Sequence, residues 1–349
     1  MSGMRAVFMD GVERIELREA PIPEPGDGEA LLKVHACSVC GSDIKIYRHG
    51  NTRLRYPVIV GHEIAGEVVA VGNGVEAVSA GDRVAVGADV PGVWNTNVPG
   101  KDSYIDYATG HEFDGGFAEY MLLNRRMLEF GPVTHIPDHL GYDEAALAEP
   151  LACAIKGLDF GRFGRGKSIC VVGLGPIGCM ILELAQAYGA SRIFAAQRSR
   201  GRLETARRFA PDARFICTQD EDPTETIMRE TGGRGVDMVI TTSGSVEAHR
   251  QAIHMVGHLG YVNLFGGLRG EPELQIDSNI IHYKECFVTG SHGSAPHHHK
   301  EAVRLLGNGS VHGSWYVSRT FPLEAIHEAY AFHEAHEGLK AIVRPQERA

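Results

Sequence analysis

This chain has no second cysteine pair, no excess of positive charge, no long unbroken apolar run and no internal repeat. Each absence excludes something. Cys37 and Cys40 in "CSVCGSD" would make half of a structural zinc knuckle, but a closed site needs a second pair. The next cysteines, Cys153 and Cys170, stand alone. Seven cysteines, an odd number without paired spacing, fit a reducing cytoplasm better than a disulfide framework. A formal net charge of −10 argues against nucleic acid or an anionic membrane as partner, since both select a basic face. The opening "MSGMRAVFMDGVERIEL" lacks the apolar core of a secretory leader. The most apolar stretch, "ICVVGLGPIGCMILELAQAYGA", is interrupted by glycines, Pro176 and Glu183, and is a poor membrane span.

What is present is the composition of a globular protein, with 43% hydrophobic and 22% charged residues. A length of 349 residues points to about two domains. Over residues 1–152 short apolar runs alternate with Gly, Asn and Asp, as in "EALLKVHACSV", "PVIVGHEIAGEVVAVGNGV" and "GDRVAVG". These read as strands of a mostly antiparallel, barrel-like domain. Over residues 153–288 strands and helices alternate. "SRIFAAQ", "GVDMVITTSG" and "GYVNLFG" read as strands, "RLETARRFA" and "VEAHRQAIHMV" as helices. That rhythm predicts a doubly wound parallel sheet with its ligand at the carboxyl ends of the strands. Residues 289–349, with a helical "HKEAVRLLGNG" and a strand-like tail, are expected to return to the first domain. "PHHHK" at 296–300 reads as a solvated loop.

"GLGPIG" places Gly173, Gly175 and Gly178 in G-x-G-x-x-G spacing, with Pro176 and Ile177 opening the helix that follows. The hexamer alone is a weak signal; after a strand, before a helix and inside a β/α run it marks a dinucleotide site. The first glycine permits the tight turn, the second lets backbone approach a pyrophosphate, and the third lets helix and strand pack closely. The helix amino terminus adds N–H groups and a positive dipole. An NAD site wants an acid at the end of the next strand. Here Gln197 stands there, followed by Arg198, Ser199, Arg200 and Arg202. Without a carboxylate to repel it, a 2′-phosphate can pair with arginine, so NADP(H) is the expected preference and NAD(H) the weaker alternative.

An open catalytic metal site needs three protein ligands and one free position. Cys40 and His62 are the candidates, with Glu63 or Glu149 as third. Consecutive strand residues face opposite ways, so His62 and Glu63 can share an ion only across a turn. The choice of third ligand stays open at this point.

"CGSD", "GHEIAGEVVAVG", "GDRV", "EPLA" and "VVGLGPIG", in that order along nearly the whole chain, resemble the zinc-dependent medium-chain dehydrogenases, most of all the sorbitol (polyol) and threonine dehydrogenase branch. The resemblance implies a chaperonin-like (GroES-like) β-barrel catalytic domain and a Rossmann coenzyme domain, an α/β protein with its active site in the cleft between the two. It implies Cys40 and His62 as zinc ligands, completed by Glu63 or Glu149. Asp43 would orient His62, and Ser42 would hold the substrate hydroxyl and relay its proton. One departure stands out. Many relatives carry four closely spaced cysteines near residues 90–110 for a structural zinc, and this chain has none there. One catalytic zinc per chain is therefore expected, with the lobe held by Trp94, Tyr104, Tyr107 and Phe113 or by a subunit contact.

The expected activity is hydride transfer between a nicotinamide and a secondary alcohol or ketone of a polyol, sugar or cyclitol, in a cytoplasmic homo-oligomer (dimer or tetramer). A threonine-like amino alcohol is the alternative substrate. A non-catalytic dinucleotide-binding protein that kept the fold is the alternative class.

Overall fold

The computed structural model describes residues 3–91, 105–268, 270 and 273–348. Trp94 and Tyr104 lie outside the described residues. The chain divides into two compact units, residues 1–152 with 293–349, and residues 153–292.

The first unit is built on antiparallel strands. Ala30–Ser38 pairs with Glu63–Val71 and Tyr120–Leu123, and Glu63–Val71 continues to Arg83–Val86 and Val133–His135. On the other side Ala30–Ser38 takes up the late strand Lys340–Val343, which pairs in parallel with Val317–Phe321. Among the described residues these make one seven-stranded sheet, and a three-stranded sheet joins Gly3–Gly11 to Arg14–Pro21 and Val58–Ile59. Val34, Ile64, Val84, Phe117 and Met121 of the enclosed core are at most 2% exposed. The tail from Gly293 thus carries a strand into this unit's central sheet, and Lys340 with it.

The second unit is a parallel six-stranded sheet in the order Arg214–Cys217, Arg192–Gln197, Ser168–Val172, Val236–Thr241, Val256–Leu264, Phe287–Thr289. Runs such as "SICVV" and "VDMVIT" are apolar almost throughout because helices cover both faces of a parallel sheet. Chain order reverses at Ser168–Val172, so the loops at its carboxyl end open a crevice of the kind that binds nucleotides.

One local expectation fails. "PHHHK" is no solvated loop; it is the first turn of the Pro296–Gly307 helix, with proline at a helix-opening position. His298 and His299 are buried, Ala295 N donates to His298 Nδ1 at 3.0 Å, and Thr134 Oγ1 lies 2.9 Å from His299 Nδ1. Histidine reads as polar in composition, yet two of the three are packed.

Candidate active site

Cys40 caps the Gly41–His49 helix, held by Asp43, whose Oδ2 accepts from Cys40 N at 2.8 Å. This turn sets Cys40, Ser42 and Asp43 side by side. Asp43 is buried, and its Oδ1 lies 3.2 Å from His62 Nδ1. The other ring nitrogen, Nε2, is 3.2 Å from Ser42 Oγ.

His62 owes its position to Gly61, at φ +94°. A Cβ there would come within 2.8 Å of Cys37 Sγ and 2.9 Å of Phe117. The left-handed turn stops the chain just before the Glu63–Val71 strand begins, so His62 and Glu63 are not consecutive strand residues and escape the alternation that would part them. Cys40 Sγ, a His62 ring nitrogen and a Glu63 carboxylate oxygen accordingly lie within 4.8 Å of one another. Sulfur, nitrogen and oxygen in this number fit a zinc ion with a position left open. Glu149, near the start of the Ala148–Phe160 helix, is buried but not in that set.

Electrostatics favour holding a cation here. Burial alone would lower the His62 pKa, but Asp43 and then Cys40 hold it well above the ordinary value. Burial opposes the charge on Asp43 too, and His62 wins, keeping the carboxyl below its usual range. Glu63 is fully buried and pairs with an equally buried ammonium: Lys340 Nζ lies 2.7 Å from Oε1 and also donates to Val39 O at 3.1 Å. Oε2 lies 2.5 Å from the same ammonium, in ion-pair contact but without the alignment of a hydrogen bond. A carboxylate oxygen with no aligned donor, within 4.8 Å of a thiol sulfur and an imidazole nitrogen, is one that a resident zinc would satisfy.

Three residues around this cluster carry no sequence signature. His111 stands with its ring centroid 6.3 Å from that of His62, and burial, reinforced by His62, keeps its pKa low. His333, on the Ile326–Ala335 helix, is pushed down to about 4 by burial and by Lys340. Tyr330 is buried against Tyr47 and Phe117. Lys340 had one available signal, a lysine opening the otherwise apolar strand "KAIV".

In the second unit the glycine turn follows the Ser168–Val172 strand. Gly173 has φ +95°, and a Cβ on it would meet Thr242 Oγ1 at 2.9 Å. A Cβ on Gly178 would sit 2.0 Å from Gly173 O, so helix and turn touch there through glycine alone. Gly175 faces open space, with nothing within 4 Å of a Cβ, and directly precedes Pro176 and Ile177 at the helix start. That is the cradle a pyrophosphate needs. Gln197 turns inward: its Oε1 accepts from Leu174 N at 2.9 Å and closes the loop. Ser199 caps the Arg200–Ala206 helix, its Oγ accepting from Arg202 N at 3.4 Å. Arg200 pairs with Asp220, and Arg198 is exposed. Arg202 is half-buried, and desolvation holds its guanidinium below the ordinary value; among the described residues no carboxylate is paired with it.

Two family models match the chain, the alcohol dehydrogenase GroES-like domain over residues 26–135 and the zinc-binding dehydrogenase domain over residues 176–308. A sorbitol dehydrogenase of Halalkalibacterium halodurans is 31% identical over 347 residues, 96% of this chain and 97% of that protein. The chain belongs to the zinc-dependent medium-chain dehydrogenase family. An L-threonine 3-dehydrogenase of Pyrococcus furiosus is 34% identical over 294 residues, 80% of this chain and 79% of the other. Among solved structures, a zinc-binding dehydrogenase of Sinorhizobium meliloti 1021 bound to NADP superimposes with a TM-score of 0.90 at 29% identity, covering 99% of this chain and 100% of that one. As a dehydrogenase of this family the protein is an oxidoreductase, built from the GroES-like and Rossmann-type folds that its motifs resemble. Cys40, Ser42, Asp43, His62, Glu63 and His111 fall within the first matched segment. Tyr330, His333 and Lys340 lie beyond both.

Proposed function

We propose that this dehydrogenase interconverts a secondary alcohol and a ketone on a polyol, sugar or cyclitol, using one zinc per chain and NADP(H) in preference to NAD(H). The observation that carries the reading is the donor set of Cys40, His62 and Glu63 with Ser42 Oγ beside His62 Nε2. It supports Glu63, and not Glu149, as the third ligand. Bound there, zinc supplies a Lewis acid for the reacting oxygen, and the nicotinamide supplies or accepts the hydride. The chain's own residues do the rest. Asp43 fixes the ring of His62, Ser42 holds the substrate hydroxyl and takes its proton, and Gly173, Gly175 and Gly178 admit the dinucleotide backbone.

The sorbitol dehydrogenase match over almost the full length favours a polyol. The threonine dehydrogenase match favours an amino alcohol as the second reading. Initial rates with sorbitol, xylitol, inositol and threonine, each with both coenzymes, separate them; turnover confined to threonine would sink the polyol assignment.

NADP preference rests on Arg202. A half-buried cation with no carboxylate partner is stabilised by an incoming phosphate, and Gln197, engaged with Leu174, places no charge against it. A charge-assisted hydrogen bond contributes about 1.5–3 kcal/mol, or about 10–150-fold in affinity, less what salt screens. Arg202→Ala combined with Arg198→Ala is expected to lower kcat/KM for NADP by roughly tenfold or more and to leave NAD little changed. A parent enzyme that already favours NAD would refute the preference.

With no cysteine between Cys40 and Cys153, protein purified without added metal is expected to hold one zinc per chain by elemental analysis. A value near two would reveal a further site. Among the described residues no helix is long and apolar enough to cross a membrane, and free thiols support a cytoplasmic setting. Cys170 and Cys179 are buried, with their pKa values pushed up to about 12, and are inert packing.

We also infer a homo-oligomer. Among the described residues Phe287–Thr289 is an open sheet edge, and Tyr283, Leu259 and Phe287 are 75%, 57% and 50% exposed around it. Exposed edges invite strand pairing. Light scattering should show a dimer or tetramer, and Phe287→Asp should shift it toward monomer.

A further inference from the structure

His111 belongs to no motif and no donor set, yet the fold holds it against the candidate active site. Its loop is fastened from two directions. Glu112, the next residue, accepts from Ala108 N at 2.8 Å and from Arg53 Nε at 2.8 Å, so the loop cannot swing outward without breaking a carboxylate–guanidinium pair. Behind it, Gly110 and Gly115 pack directly on the backbone of Gly61: a Cβ on Gly115 would sit 2.1 Å from Gly61 O, and one on Gly110 3.1 Å from Gly61 N. The turn that positions His62 is therefore the surface on which the His111 loop rests. The two rings are tilted by 59° with centroids 6.3 Å apart, so His111 lies directly against His62.

The ring of His111 is oriented as well as placed. Its Nδ1 lies 3.4 Å from Thr109 O. A carbonyl oxygen only accepts, so Nδ1 carries the proton, and in the neutral ring Nε2 is left with its lone pair. Among the described residues nothing donates to Nε2. A fixed acceptor beside the Ser42–His62 pair matches a second hydroxyl on the carbon next to the reacting one.

We infer that His111 is a specificity-determining residue: its Nε2 accepts a hydrogen bond from the hydroxyl adjacent to the reacting carbinol, so that the recognised unit is a vicinal diol and not an isolated secondary alcohol. This rests on the alcohol-dehydrogenase reading above and deepens it. A site that hydrogen-bonds a substrate hydroxyl rejects the analogue lacking it because its own polar atom is then left unpaired.

The test compares kcat/KM for 2,3-butanediol with that for 2-butanol in the parent, His111→Phe and His111→Gln, with far-ultraviolet circular dichroism to establish folding. The parent should favour the diol. In His111→Phe the diol-to-monool ratio should fall by about 3–10-fold, the size of one neutral hydrogen bond. His111→Gln, which restores an acceptor, should recover part of it. A second readout is the 15N signal of His111 Nε2 in the folded parent, which should move on adding the diol and not on adding 2-butanol. A ratio unchanged in His111→Phe, with both substrates falling together or neither falling, overturns the proposal, and so does a silent 15N signal. A parent that oxidises neither compound nor any polyol overturns the functional reading itself, and the two failures are told apart by the parent's activity alone.

Discussion

Replacing Cys40 with serine, or His62 with alanine, should abolish turnover while dinucleotide binding survives. Each change deletes one of three donor atoms that lie within 4.8 Å of one another. A catalytic zinc needs all three protein ligands to leave a single open position. Lewis-acid stabilisation of the reacting oxygen is worth several kcal/mol, and each 1.36 kcal/mol is tenfold in rate, so kcat should drop by more than about 10³-fold. Dinucleotide affinity should persist because Gly173, Gly175 and Gly178 stand in the other unit, which has a core of its own around Cys170, Phe194, Val239 and Val262. Asp43→Asn provides the intermediate case. It removes the charge beside His62 Nδ1 but no donor, and such outer partners typically cost about 10–100-fold. Coenzyme titration by fluorescence and steady-state rates, run on the same preparations, decide it. Near-normal kcat in Cys40→Ser or His62→Ala would mean that the zinc site is elsewhere.

These residues could be named from sequence because their information is local. Cys40, Ser42 and Asp43 share one helical turn, and the glycine hexamer makes its own loop. Gly61 could have been read more sharply: a glycine immediately before His62 is the turn that brings donor atoms of Cys40, His62 and Glu63 within 4.8 Å of one another, where strand alternation alone would have parted the last two. Gln197 shows the opposite limit. Its position at the strand end was legible, its side chain's return to Leu174 N was not, because an amide facing solvent and one folded onto the loop look identical in sequence. His111 was invisible, and Lys340 offered only its place at the head of an apolar strand, for a different reason. Neither has a periodicity or a spacing; Lys340 reaches Glu63 across 277 residues only because the late strand enters the central sheet. The histidines at 297–299 were misread by composition, since helix-opening proline outweighs their polarity.

The buried pair that this late strand creates leads to the second large effect: Lys340→Met should destabilise the metal-stripped protein by about 3–5 kcal/mol. Lys340 and Glu63 are each at most 2% exposed, so deleting the ammonium leaves a carboxylate with neither water nor counter-charge. Burial pushes the lysine's pKa down, but Glu63, with Cys40 and Glu149 behind it, holds it above the ordinary 10.5. A cation whose folded pKa is raised contributes its full stabilisation below the unfolded value and loses it as pH climbs through the folded one. The gap between parent and Lys340→Met should thus be constant from neutral pH to about 10 and narrow above it. The double variant Glu63→Met with Lys340→Met should recover much of the loss, because replacing both partners by apolar side chains removes the uncompensated charge. Urea unfolding after chelation, at a series of pH values, measures all three proteins. A single variant within about 0.5 kcal/mol of the parent, or a double variant no more stable than the single, would show that Glu63 does not depend on this lysine.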